Sequence, residues 1–130
     1  MKKDEEKLAR AVGREVQSIV AEVLFYGVET GGALGNVLVT FTDRTRFSFG
    51  CAGDGTVSVT RSRGAVGNAP GYSTVPRTIT GLTGIMEAVE PHGDTLRMVV
   101  GGHSVVLANV DDELSVTVDG DSLPSGTFQR

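Results

Sequence analysis

Two histidines, one cysteine, a scatter of acids and a group of arginines are the side chains here that could carry chemistry. His92 and His103 each stand beside a glycine turn, in Pro91-His92-Gly93 and Gly102-His103-Ser104. They are eleven residues apart, and neither sits in a metal-ligand spacing such as HExxH. A zinc site would need Cys51 or an acid brought in from elsewhere, so the expectation is no metal and no cofactor. Cys51 follows Phe47 and Phe49 at the same alternating parity. That setting fits a small buried hydrophobe rather than an activated nucleophile, and no triad partner is specified.

The acids are grouped but not organised for catalysis. Asp111-Asp112-Glu113 and Asp119-Gly120-Asp121 flank an apolar stretch without the ligand positions of a calcium loop. Asp119-Gly120 reads as turn chemistry, because aspartate bonds nearby backbone and glycine accepts positive φ. Gly50-Cys51-Ala52-Gly53-Asp54-Gly55 lacks a Gly-Lys-Ser ending and leads into the strand-like Thr56-Val57-Ser58-Val59. A phosphate or dinucleotide loop needs a helix there, so a hairpin turn is expected.

The arginines make a more coherent group. Arg44, Arg46, Arg61, Arg63 and Arg77 fall within one stretch that holds the single acid Asp54, just after Asp43. From Glu87 to Asp121 there are eight acids against Arg97. A chain divided this way is expected to be electrostatically two-sided, which steers charged partners. Arg61, Arg63 and Arg77 can donate to an anion, with Tyr72 covering an apolar part of the same ligand. The net charge of −4 and sparse aromatics argue against general nucleic-acid binding.

These groups must be positioned by one small domain, expected to occupy residues 1–130. No run of eighteen apolar residues is present, so no membrane partner is expected. The charged start Met1-Lys2-Lys3-Asp4-Glu5-Glu6 does not resemble a secretory leader. With its lone cysteine it suggests a cytoplasmic protein.

Leu8, Val12, Val16, Ile19, Val20, Val23 and Leu24 recur at three- and four-residue spacings, which predicts a helix over 4–26 ending at Gly27. Gly13 is a cost of about 1 kcal/mol inside such a helix. Beyond it the period falls to two. A first meander is predicted over 36–60, a long Gly/Pro-containing loop over 61–81, and a second meander over 82–118. Tyr72–Val75 can form a short edge strand within the loop. The unbroken Val105-Val106-Leu107-Ala108 suggests a strand covered on both faces. The letters at 35–38 echo those at 93–96, and 58–60 echo 115–117, though a shared hairpin solution explains them equally well.

The resulting expectation is an α+β fold, with an amino-terminal amphipathic helix on a mainly antiparallel sheet of six to eight strands. Two meanders or a partly closed barrel would both satisfy the pattern. A helix over 4–26 is about 34 Å long and outreaches six-residue strands of about 20 Å. Leu8 and Val12 would then project as a contact for a homodimer or a specific protein partner. The functional expectation is a non-catalytic interaction or regulatory module, such as an inhibitor or chaperone-like adaptor. The alternative is a small anionic-ligand-binding domain, or an enzyme, working in a crevice beside the 61–81 loop.

Overall fold

A computed structural model describes residues 3–61 and 71–130. The fold is α+β, with one amino-terminal helix packed on a large antiparallel sheet that does not close into a barrel. Helix α1 spans Lys3–Arg10 and is followed by strands β1 (Glu15–Tyr26), β2 (Ala33–Phe41), β3 (Arg46–Cys51) and β4 (Val57–Arg61). After β5 (Tyr72–Thr78) come β6 (Gly84–His92), β7 (Thr95–Val100), β8 (His103–Val110), β9 (Glu113–Val118) and β10 (Asp121–Ser122). A 3-10 turn, Ser125–Phe128, lies near the carboxyl end. Among the described residues ten strands thus replace the six to eight expected, chiefly because the predicted helix yields a strand.

The helix over 4–26 is corrected. α1 ends at Arg10, and Gly13 marks the exit with φ +96°, its N–H donating to the Met86 carbonyl. Residues 15–26 are rich in β-branched and aromatic side chains, which fit a pleated surface better than a helix. The helical spacing itself has a strand explanation. Val16 pairs with Phe41 and Ser18 with Thr40, so Gln17 is an extra residue in β1. Such a bulge reverses the side-chain parity beyond it. Val16 and Ile19, three apart, consequently both reach the same core, and Ala21, Val23 and Phe25 are buried further along the strand.

The sheet runs β10-β9-β8-β7-β6-β1-β2-β3-β4, with β5 added beside β1. One edge of β1 pairs with β2, while its other edge meets β6 at Glu15–Val16 and β5 from Val20 to Tyr26. Two four-strand meanders, β1–β4 and β6–β9, are therefore joined through β1 and β6. The segments that echo in sequence occupy matching places, at the starts of β2 and β7 and within β4 and β9. The sheet folds back so that β2 and β3 approach β9, and β4 approaches β8.

Between the halves lie Phe41, Phe47, Phe49, Met86, Leu96, Met98, Leu107 and their aliphatic neighbours. α1 packs against β4 and β6, and Leu8 enters this core with 1% of its surface exposed. The central strand β8 is buried on alternate residues only, so its apolar run is covered on one face rather than two. Part of the predicted loop is ordered as the seven-residue strand β5.

Candidate functional site

Two depressions lie at opposite ends of β1, one lined mainly by cations and the other by carboxylates and aromatic rings. At the end where β1 begins, Lys7 and Arg10 of α1, Arg14 of the following turn and Arg61 at the close of β4 surround a hollow of about 270 Å³. Thr45 and the buried Phe47 complete its lining. Asp43, in the β2–β3 turn, is the nearest counter-charge. Its Oδ1 accepts from the Thr45 N–H at 2.9 Å and its Oδ2 from Arg14 Nη1 at 3.2 Å. The bonds from Thr45, and then the charges of Arg14 and Arg61, hold the Asp43 carboxyl below its ordinary range.

At the other end of β1 lies an open depression of about 630 Å³. It is lined by Leu24, Tyr26, Glu29, Gly31, Gly32, Ala33, Leu34, Tyr72, Asp112 and Glu113. Antiparallel pairing sets Tyr26 directly opposite Tyr72, with ring centroids 5.0 Å apart and planes tilted by 56°. The two residues are 54% and 43% exposed, a large aromatic surface for a domain with seven aromatic residues. Asp111 and Asp112 both hold positive φ in the tight β8–β9 turn that leads into Glu113. Neither of them, nor Glu29, forms an ion pair among the described residues. Nearby Arg130 directs its guanidinium to the Gly27 and Glu29 carbonyls and to Ser73, with the ring of Phe25 beneath it.

The arginine and tyrosine set expected to share one crevice is thus divided. Arg61 lies in the basic hollow, Tyr72 in the acidic–aromatic depression, and Arg77 on β5 donates to the Gln129 carbonyl at 3.1 Å. Arg63 lies outside the described residues. Sequence reading missed Lys7, Arg10 and Arg14 as companions of Arg61, because a helix through residue 26 carries them away from β4. It also missed Tyr26, which that helix hid as a terminal residue.

The remaining reactive groups are scattered. His92 and His103 align with opposite ends of β7, about 17 Å apart at strand rise. His103 Nδ1 lies 2.7 Å from Asp119 Oδ2, while Asp119 Oδ1 accepts from the Ser104 N–H. Asp119 and Gly120 both have positive φ, as the turn reading requires. The His103 and Ser104 bonds hold the Asp119 carboxyl below its usual value. Burial, followed by the charges of Asp112 and Glu113, pushes the Cys51 thiol upward and disfavours the thiolate.

Glu22 is a different case. It is 7% exposed on β1, across from Asn36 and Pro76, and its Oε1 has no hydrogen-bond partner among the described residues. Burial raises its pKa, and Arg46 offsets part of that rise. Leu8, expected at an interface, belongs to the core, whereas Val12 is 42% exposed. No family model, curated protein or solved structure matches the chain, so its own geometry is the ground for a functional reading.

Proposed function

We propose that the protein is a non-catalytic interaction module of the cytoplasm whose acidic–aromatic end grips a basic segment of a specific protein partner. The observation that carries this reading is the exposed Tyr26–Tyr72 pair standing among Glu29, Asp112 and Glu113. A lysine or arginine laid over either ring gains a cation–π contact, and its head then reaches a carboxylate. Leu24 and Leu34 supply apolar floor for the aliphatic part of such a side chain. The size of the depression suits one or two side chains rather than a whole folded surface.

The test is titration of the full chain with a short Lys/Arg-rich peptide containing one aromatic residue, against the same peptide with acids in place of its bases. Saturable binding of the basic peptide alone is expected. It should weaken about fivefold or more in Tyr26→Ala, Tyr72→Ala and Asp112→Asn. Equal binding of both peptides, or of all variants, would sink the reading. A second copy offers its own basic hollow as an occupant, giving a head-to-tail contact. Sedimentation over a concentration series separates that self-association from a distinct partner.

A further inference from the structure

We propose that the hollow formed by Lys7, Arg10, Arg14 and Arg61 is a binding site for a compact phosphoryl group, as borne by a small phosphate monoester or diphosphate. This site lies at the opposite end of β1 from the acidic–aromatic depression and does not depend on it. Four cations from three separate segments line a space of about 270 Å³. Among the described residues two of them are ion-paired, Arg14 with Asp43 at 3.2 Å and Lys7 with Asp4 at 4.0 Å. Converging like charges repel, so the arrangement is most stable with an anion among them. Arginine forks match phosphate oxygens two at a time, and three of the four cations are arginine.

The dimensions narrow the ligand. Small-molecule pockets usually enclose about 300–1,000 Å³, so this hollow accepts a phosphoryl head and leaves the remainder of a ligand outside. Thr45 and the buried Phe47 complete the lining. Polyanions are disfavoured, because the chain carries net charge −4 and its other end presents Glu29, Asp112 and Glu113.

Asp43 makes the site distinctive. Its carboxylate already occupies Arg14 from one side, so an incoming phosphate competes with it for that guanidinium. The Thr45 N–H is bonded to the Oδ1 atom alone, an acceptor that asparagine also supplies. Asp43→Asn therefore removes the competing charge while keeping the turn bond. It should tighten phosphate binding, an outcome that damage to the fold cannot imitate.

The experiment is calorimetric titration of the full chain with inorganic phosphate, pyrophosphate and acetate at constant ionic strength. Saturable binding of pyrophosphate, tighter than phosphate and with acetate silent, is expected. Arg61→Gln and Arg10→Gln should each weaken it about fivefold or more, and Arg14→Lys should weaken it despite keeping the charge. Asp43→Asn should strengthen it, and Arg97→Gln on β7 should leave it unchanged. Thermal melts of every variant verify that the fold persists. Absence of saturation, equal response of all arginine variants including Arg97→Gln, or weaker binding by Asp43→Asn would overturn the proposal. Preference for duplex DNA over pyrophosphate would overturn it as well.

Discussion

Asn109 on β8 donates from Nδ2 to the carbonyl of Thr56, 2.9 Å away in the β3–β4 turn, and so ties the two meanders together. The same amide lies 3.3 Å from the Ala52 carbonyl, and Oδ1 accepts from the Asp112 N–H at 3.0 Å. One buried side chain thus fixes both the junction of the halves and the turn that presents Asp112 and Glu113. Asn109→Ala leaves two carbonyls and one N–H without these partners, at an expected cost of about 2–4 kcal/mol. Urea unfolding of the variant measures the loss, and a difference below about 0.5 kcal/mol would contradict this role.

The Gly101–Gly102 turn between β7 and β8 gives a paired prediction. Both residues have positive φ, but their surroundings differ. A Cβ at Gly101 would overlap the Thr83 carbonyl oxygen, whereas one at Gly102 would meet nothing within 4 Å. Gly102→Ala should cost only the left-handed backbone penalty, about 1–2 kcal/mol. Gly101→Ala adds a backbone clash and should be the more damaging, with a melting temperature clearly lower than that of Gly102→Ala.

The contrast between turns and the first strand explains how much of the fold was legible. Gly101-Gly102 and Asp119-Gly120 are local signals: the residue types demand a backbone conformation, and the adjoining strands of the second meander follow. Val16 and Ile19 mislead because a bulge at Gln17 gives strand residues a helical spacing. Only pairing with Phe41 and Thr40 reveals the extra residue, and pairing is not a local property. The site follows the same division. Arg61 and Tyr72 were visible as donors and ring, but their companions depend on strand order. β4 and β5 lie on different sides of β2 and β3, which separates Arg61 from Tyr72 and Arg77.

Glu22 should reveal itself as a pH-dependent burden. Its folded pKa is raised by burial, so the folded chain disfavours the ionised form. The stabilising contribution of the protonated form is complete below the ordinary value of 4.5 and is lost as pH rises through the higher folded value. Glu22→Gln, which cannot ionise, should therefore be more stable than the natural chain at pH 7. That advantage should shrink as pH falls through the folded value toward 4.5 and change no further below it. Chemical denaturation at a series of pH values gives the comparison, and a constant difference across them would refute it.

Leu8 and Val12 separate core from surface. Leu8 is almost fully enclosed by the chain itself, so Leu8→Ala should cost about 2–5 kcal/mol. Val12 is exposed in the turn after α1, and Val12→Ala should alter stability by no more than about 0.5 kcal/mol. Should Val12 serve self-association, its variant would shift the sedimentation profile without shifting the monomer's melting point. Equal destabilisation by the two variants would contradict the packing of α1 against β4 and β6.

Asp119 supplies the opposite pH behaviour to Glu22. Its carboxyl is held below the ordinary 3.8, first by the side-chain bond with His103 and then by the Ser104 N–H. A lowered folded pKa favours the ionised form in the folded state. The associated stability is present above 3.8 and is lost as pH falls through the folded value. Asp119→Asn should accordingly be less stable than the natural chain at pH 6, with the two curves converging as acid protonates Asp119. His103→Ala removes the larger of the two lowering bonds, so the midpoint of Asp119 titration should move upward toward 3.8. Following the Asp119 carboxyl carbon by NMR through an acid titration reads that midpoint directly. An unchanged midpoint in His103→Ala would show that the 2.7 Å pair does not govern the turn.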